Sequence, residues 1–126
     1  MFLYITLGTN DLVRARAFYT PLMASIGQVL RIAEDTGIGY GPPEPSRIAL
    51  WITRPYDGKP ATVGNGSMPA FDALTRSAVD AFHHAALAHG GTDEGAPGLR
   101  YSANFYSCYV RDPDGNKLSA VCERPE

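Results

Sequence analysis

Phe105-Tyr106-Ser107-Cys108-Tyr109-Val110-Arg111, then Asp112-Pro113-Asp114-Gly115, then Asn116-Lys117-Leu118-Ser119-Ala120-Val121-Cys122 is the stretch that decides the fold. Two arms rich in aromatic and β-branched residues flank a Pro/Gly turn. Proline fixes φ at the first corner, and glycine accepts the positive φ that a tight hairpin needs. The arms therefore read as antiparallel strands over 105–111 and 116–122. With Arg111 opposite Asn116, Cys108 falls opposite Ser119 and Cys122 opposite Phe105. On that register Cys108 shares a face with Ser119, and the two thiols point to opposite faces, away from disulfide geometry.

Upstream of the hairpin, residues 76–89 carry Val79, Phe82 and Ala86 at helical spacing, with His89 a further candidate for that face. Thr75 or Ser77 can cap this helix, and Gly90-Gly91 ends it. Residues 67–73 read as a strand before it. Gly95-Ala96-Pro97-Gly98 reads as a loop, with a further short strand starting at Arg100-Tyr101. The first half follows the same order. Residues 2–7 form a strand, and Gly8-Thr9-Asn10 breaks it. Asn10 or Asp11 caps a helix marked by Leu12, Ala15, Phe18, Tyr19 and Leu22. Pro21 distorts or ends the last turn, and Gly27 turns the chain. Strands are expected over 28–33, 38–41 and 47–53, the first two joined by the turn Asp35-Thr36-Gly37. A stiff loop spans Pro42 to Pro45.

The two halves superpose at one offset. Tyr4 lands on Met68, Ala17 on Ala81, Phe18 on Phe82 and Gly27 on Gly91. Strand falls on strand, and helix-ending glycine on helix-ending glycine. One such unit has too little core to stand alone, so two packed units are expected. The fold class is α+β: two tandem βαβββ modules in one domain over 1–126. Module one covers about 1–54, a Pro/Gly-rich linker 55–66, and module two 67–126.

Composition narrows the function classes. The 126 residues are 44% hydrophobic and 19% charged, with a formal charge of −2, which is ordinary globular composition. No basic stripe marks a nucleic-acid partner. No apolar run is long enough for a bilayer, so no membrane partner is expected. The first residues lack a basic segment and a cleavage site, so the expected location is cytoplasmic and the two cysteines are expected to be free thiols.

Three segments carry a family resemblance. Residues 4–19 (Tyr-Ile-Thr-Leu-Gly-Thr-Asn-Asp-Leu-Val-Arg-Ala-Arg-Ala-Phe-Tyr), Met68-Pro69-Ala70-Phe71 with Val79-Asp80-Ala81-Phe82-His83, and 106–116 with its Arg-Asp-Pro-Asp-Gly-Asn element resemble the vicinal-oxygen-chelate superfamily of glyoxalase, bleomycin-resistance and extradiol-dioxygenase proteins. The resemblance implies a curled mixed sheet around a cup-shaped cavity. In metal-dependent members a divalent ion sits there on His and Glu ligands and acts as a Lewis acid.

Carried onto this sequence, the ligand positions fall on Tyr4, Met68, Ser119 and, more loosely, Trp51. Those side chains supply almost none of the imidazole nitrogen and carboxylate oxygen that such an ion needs. No metal and no other cofactor is therefore expected. Tyr4, Trp51, Met68, Ser119 and Cys108 instead make a candidate lining for a small organic ligand. The same residues could equally be ordinary core. The alternative function is a metal-dependent lyase or dioxygenase of the glyoxalase type, resembling lactoylglutathione lyase, with Zn, Ni, Fe or Mn held elsewhere. A third reading is a scaffold for self-association. The resemblance also implies a homodimer.

Other residues read more plainly. His83, His84 and His89 are spaced five and six apart, not the three or four of a shared helical metal face, and read as solvated surface. Asp112, Asp114 and Asn116 read as hairpin-turn residues, since the frame and closing Glu of a calcium loop are absent. Asp11 reads as a helix start. Arg14, Arg16, Arg47 and Arg54 read as solvated surface, with an anionic ligand as the other possibility. Cys108 has no evident His base and reads as a small buried hydrophobe.

Overall fold

The computed structural model describes all residues, 1–126. Each half is a four-stranded mixed sheet with one helix on its back. Module one contains β1 (Ile5–Gly8), α1 (Leu12–Ala24), β2 (Val29–Ala33), β3 (Gly37–Gly41) and β4 (Leu50–Thr53). Module two contains β5 (Ala70–Asp72), α2 (Arg76–Ala88), β6 (Thr92–Leu99), β7 (Phe105–Arg111) and β8 (Lys117–Glu123). The strand orders, β1-β4-β3-β2 and β5-β8-β7-β6, are equivalent. In each sheet the first and last strands pair in parallel and the rest are antiparallel. The expected pair of βαβββ modules is present. No helix is long and apolar enough to cross a membrane.

Local chemistry explains both helices. Asp11 caps α1 by accepting the Arg14 N–H at 2.9 Å. Pro21 sits inside the last turn of α1, and the helix continues through it to Ala24 because a proline near the end removes only one ladder bond. Gly27 then takes φ +78°. Thr75 caps α2 by accepting the Ala78 N–H, and Gly90 follows the helix at φ +101°. Ala15, Phe18, Tyr19, Leu22 and Met23 of α1 pack on Ile38, Tyr40, Leu50 and Ile52. Val79, Phe82 and Ala86 of α2 pack on Cys108, Val110, Leu118 and Ala120, and all belong to one buried cluster. The helices touch, and the space between modules is tight: a Cβ on Gly91 would lie 2.8 Å from the Phe18 ring.

The short strand expected to start at Arg100-Tyr101 does not form, because the chain turns there with Tyr101 at φ +64°, and four boundaries differ from the sequence reading. The expected strand over 2–7 begins only at Ile5, leaving Phe2, Leu3 and Tyr4 exposed. The expected strand over 47–53 begins at Leu50, because Arg47 and Ile48 lie across the neighbouring strand β3. The expected strand over 67–73 shortens to Ala70–Asp72. Conversely, Gly95–Gly98 is no loop but part of the eight-residue β6. Its register slips at two places, and it is an edge strand, where Pro97 and glycines are tolerated.

The last hairpin also differs in register. Asp112 to Asn116 form a five-residue turn, closed by the Asp112 N–H to the Asn116 carbonyl at 2.9 Å, so Arg111 pairs with Lys117. The one-residue slip reverses the expected face assignments. Cys108 pairs with Ala120 and Cys122 with Tyr106, which places both thiols on the helix side of the sheet. Both are buried and free.

Candidate functional site

Strand alternation gives each sheet a helix face and an open face. On module one the open face of β3 is a row of glycines, Gly37, Gly39 and Gly41, because Ile38 and Tyr40 point to α1. The row lets the chain fold back over it. A Cβ on Gly41 would lie 1.9 Å from the Arg47 carbonyl oxygen, and one on Gly39 would lie 2.8 Å from Ile48 Cγ2 and 3.0 Å from Ile32 Cγ2. The segment between β3 and β4 thus fills this half of the cup.

On module two the equivalent strand β7 presents Ser107, Tyr109 and Arg111 on its open face, opposite Val121, Ser119 and Lys117 of β8. The Tyr109 ring carries two cations, with Arg100 Cζ at 5.0 Å and Lys117 Nζ at 5.6 Å from its centroid. Arg100 is fixed by the carbonyls of Ala96, Gly98 and Ser107. Arg111 donates to Glu94 at 2.7 Å and to the Gly115 carbonyl at 2.8 Å. Lys117 has no carboxylate partner in the chain, although it stands directly opposite Arg111. Like charges at such a pair cost a few tenths to about 1 kcal/mol. Ser119 is wholly buried, and its Oγ has no hydrogen-bond partner.

Hollows lie where the modules meet. Thr6 to Gly8 of β1, Thr62 to Gly64 of the linker, Ser67 just after it, and Asn116-Lys117 border one of about 200 Å³. Gly64 to Met68, Arg111 and Lys117 border a second of about 350 Å³. The largest, about 530 Å³, is an apolar groove between Ile5, Met23 and Tyr40 on one side and Met68, Phe71 and Leu74 on the other.

Of the five residues expected to line a ligand site, Met68 borders the groove and the second linker hollow. Tyr4 lies one residue before β1 and is about half exposed. Trp51 is on the open face of sheet one, paired with Thr6 and Gly39, and Ser119 is on the open face of sheet two. The two sheets share no ladder. Cys108 is separated from the others: it lies on the opposite face from Ser119, with its thiol 3.7 Å from the Val79 carbonyl under α2. Burial pushes that thiol up to about 11, the reverse of what a nucleophile needs.

A metal fits these positions poorly. A phenol, an indole, a thioether and a hydroxyl offer no good ligand set for Zn, Ni, Fe or Mn. No group of three or more His, Cys, Asp or Glu side chains stands close enough to share an ion.

Two clusters escaped the sequence reading. His83 was expected on a solvated surface; its ring is only 14% exposed and pairs with Asp93 at 2.8 Å. That hydrogen bond holds the Asp93 carboxyl below its ordinary value. The turn Asp112–Asn116 is more than a turn. Asp114 accepts from Thr9 Oγ1 at 2.5 Å, the Asn10 N–H at 2.9 Å and Arg14 at 2.8 Å. Buried Asp112 accepts from Tyr19 Oη and from Asn116 Nδ2, which also donates to the Gly8 carbonyl at 3.0 Å. Burial, then the Asp112 charge, pushes the Tyr19 hydroxyl far up, so it stays a donor. The last turn of module two thereby clamps the β1–α1 turn of module one. Nothing in the sequence marks those partners, which are about a hundred residues apart.

Paired modules of this order, with helices on the back and an open front, define the class of protein. The model of the glyoxalase/bleomycin resistance protein/dioxygenase superfamily matches residues 2–119, and the chain belongs to that superfamily. It is similar to a crystal structure of a glyoxalase/bleomycin resistance protein from Albidiferax ferrireducens T118, with 40% identity, 99% of each chain covered and a TM-score of 0.88. A glyoxalase/bleomycin resistance protein/dioxygenase family enzyme from Burkholderia phytofirmans PsJN shares the fold at 21% identity, with 97% and 98% covered and a TM-score of 0.72. A lactoylglutathione lyase from Agrobacterium tumefaciens does so at 22%, with 96% and 92% covered and a TM-score of 0.64. No curated protein sequence matches the chain.

Proposed function

We propose that this chain is a small-molecule binding member of its superfamily that works without the divalent ion of metal-dependent relatives. The carrying observation is the donor set: Tyr4, Trp51, Met68 and Ser119 stand where the resemblance implies His and Glu. The open face of module two supports binding in its place. Arg111 and Lys117 of this face border hollows lined mostly by polar residues, which suits a small ligand with polar groups. Cys108 offers no activated nucleophile, which favours binding without covalent turnover.

Elemental analysis of purified protein for Ni, Zn, Fe and Mn tests the reading, with substoichiometric metal expected. One ion per chain would overturn it and install the lyase or dioxygenase alternative, for which the lactoylglutathione lyase at 22% identity offers a likeness of fold alone. The fluorescence of Trp51, the one tryptophan, is expected to respond to aromatic ligands in a broad screen. We further propose a homodimer. Phe2 and Leu74 border the apolar groove and are each more than 70% exposed, a surface that a second copy would cover. Sedimentation at micromolar concentration is expected to give twice the chain mass.

A further inference from the structure

We propose that the pair of hollows between the loop Gly64–Ser67 and strand β8 is an anion site that takes a carboxylate or phosphate group of the ligand. The inference rests on the small-molecule reading and adds the ligand's charge. Lys117 borders both hollows and Arg111 the larger, whereas no Asp or Glu borders either, in a chain of net charge −2. Lys117 is the unneutralised member of that cross-strand pair, since Glu94 serves Arg111. An anion between the two would convert their repulsion into a shared attraction.

The remaining lining is suited to the same task. Thr6, Thr62 and Ser67 bring hydroxyls, and Asn65 brings an amide. The loop turns tightly, with Gly66 at φ +98° and the Ser67 N–H on the Gly64 carbonyl at 2.8 Å. None of the backbone N–H groups from Thr62 to Gly66 donates within the chain, so they are free to face an anion. Leu7, Val63 and Pro69, which also border the smaller hollow, give an apolar surface next to this charge. A compact anion joined to an aromatic or apolar body is the ligand class that fits.

The test uses inorganic phosphate, benzoate and the neutral benzamide, each titrated into the full chain by calorimetry and followed through backbone amide shifts. Saturable binding of phosphate or benzoate, with shifts centred on residues 64–67 and 116–117, is expected. The stronger of the two identifies the anionic group. Lys117→Gln is expected to weaken that anion about tenfold and to leave benzamide unchanged, and Lys117→Arg to restore most of the affinity. Removing one of two opposed cations leaves folding intact, which a melting curve checks. Anion binding that is no tighter than benzamide, or equal in Lys117→Gln, overturns the anion site while the small-molecule reading stands. No binding by any of the three probes, together with silence of Trp51 across the wider screen, overturns both.

Discussion

The two modules share an order of elements and differ in what they do with their open faces. Strand β3 presents Gly37, Gly39 and Gly41, and the chain between β3 and β4 lies over the last two, with the Arg47 carbonyl where a Gly41 side chain would be. Strand β7 presents Ser107, Tyr109 and Arg111, and a five-residue turn carries the chain away from the sheet instead of across it. One half of the cup is filled by its own backbone; the other keeps polar and charged side chains beside open hollows. The two modules supply the two halves of one cup, and the longer β3–β4 connection packs over only one of them. The surviving half is also where the resemblance would place a metal-binding carboxylate, and Ser119 stands there without a hydrogen-bond partner.

The sharpest way to break this contrast is Gly41→Ala. The added methyl would meet backbone, which cannot rotate away, so a loss of roughly 3 kcal/mol or displacement of Arg47–Ile48 is expected. Urea denaturation measures the first and limited proteolysis at the loop the second. A substitution that costs nothing would mean that the glycine row is not packed.

Alkaline titration compares the backs of the two sheets. Cys108 binds its proton more tightly folded than unfolded, so its contribution is complete below its ordinary value of 9.0 and is lost as pH rises toward about 11. The loss is about 2 kcal/mol over that window. Cys108→Ala should remove this step and leave the later one from Tyr19 and Tyr40 behind sheet one, both also raised by burial. The same alkaline slope in Cys108→Ala and the natural chain would reject the assignment.

Tyr19→Phe asks whether the modules fold as one body. It removes a donor to buried Asp112 while Asn116 and backbone N–H groups remain on that carboxylate. A loss of about 2 kcal/mol in a single cooperative transition is expected. Two separated transitions would show that the clamp alone joins them. The smallest effect belongs to Ser119→Ala. Its hydroxyl is buried without a partner, so stability should stay within about 1 kcal/mol and shift upward if it shifts at all. A large loss would mean that the hydroxyl is bonded in solution.

Much of the fold was legible because its signals are local. The Pro/Gly turn, the caps Asp11 and Thr75, and the helical spacing of Phe18 or Phe82 all act within a few residues. The site was less legible. Cys108 and Ser119 were expected on one face, and a single-residue slip in the turn put them on opposite faces. A run of Gly and Pro over 95–98 reads as a loop until its place at a sheet edge is known. Lys117, Tyr109 and Arg100 gave no sign of their meeting, since strand pairing brings them together.

The sequence by itself determined the paired-module plan, the place of the two helices in it and the lack of metal-binding side chains at the resemblance's ligand positions, because propensity, spacing and residue chemistry travel with each residue. The tertiary structure decided which half of the cup is filled, which face each hairpin residue takes and which cation is left without a partner. Those depend on register and on contacts across about a hundred residues, where a shift of one position exchanges the two faces of a strand.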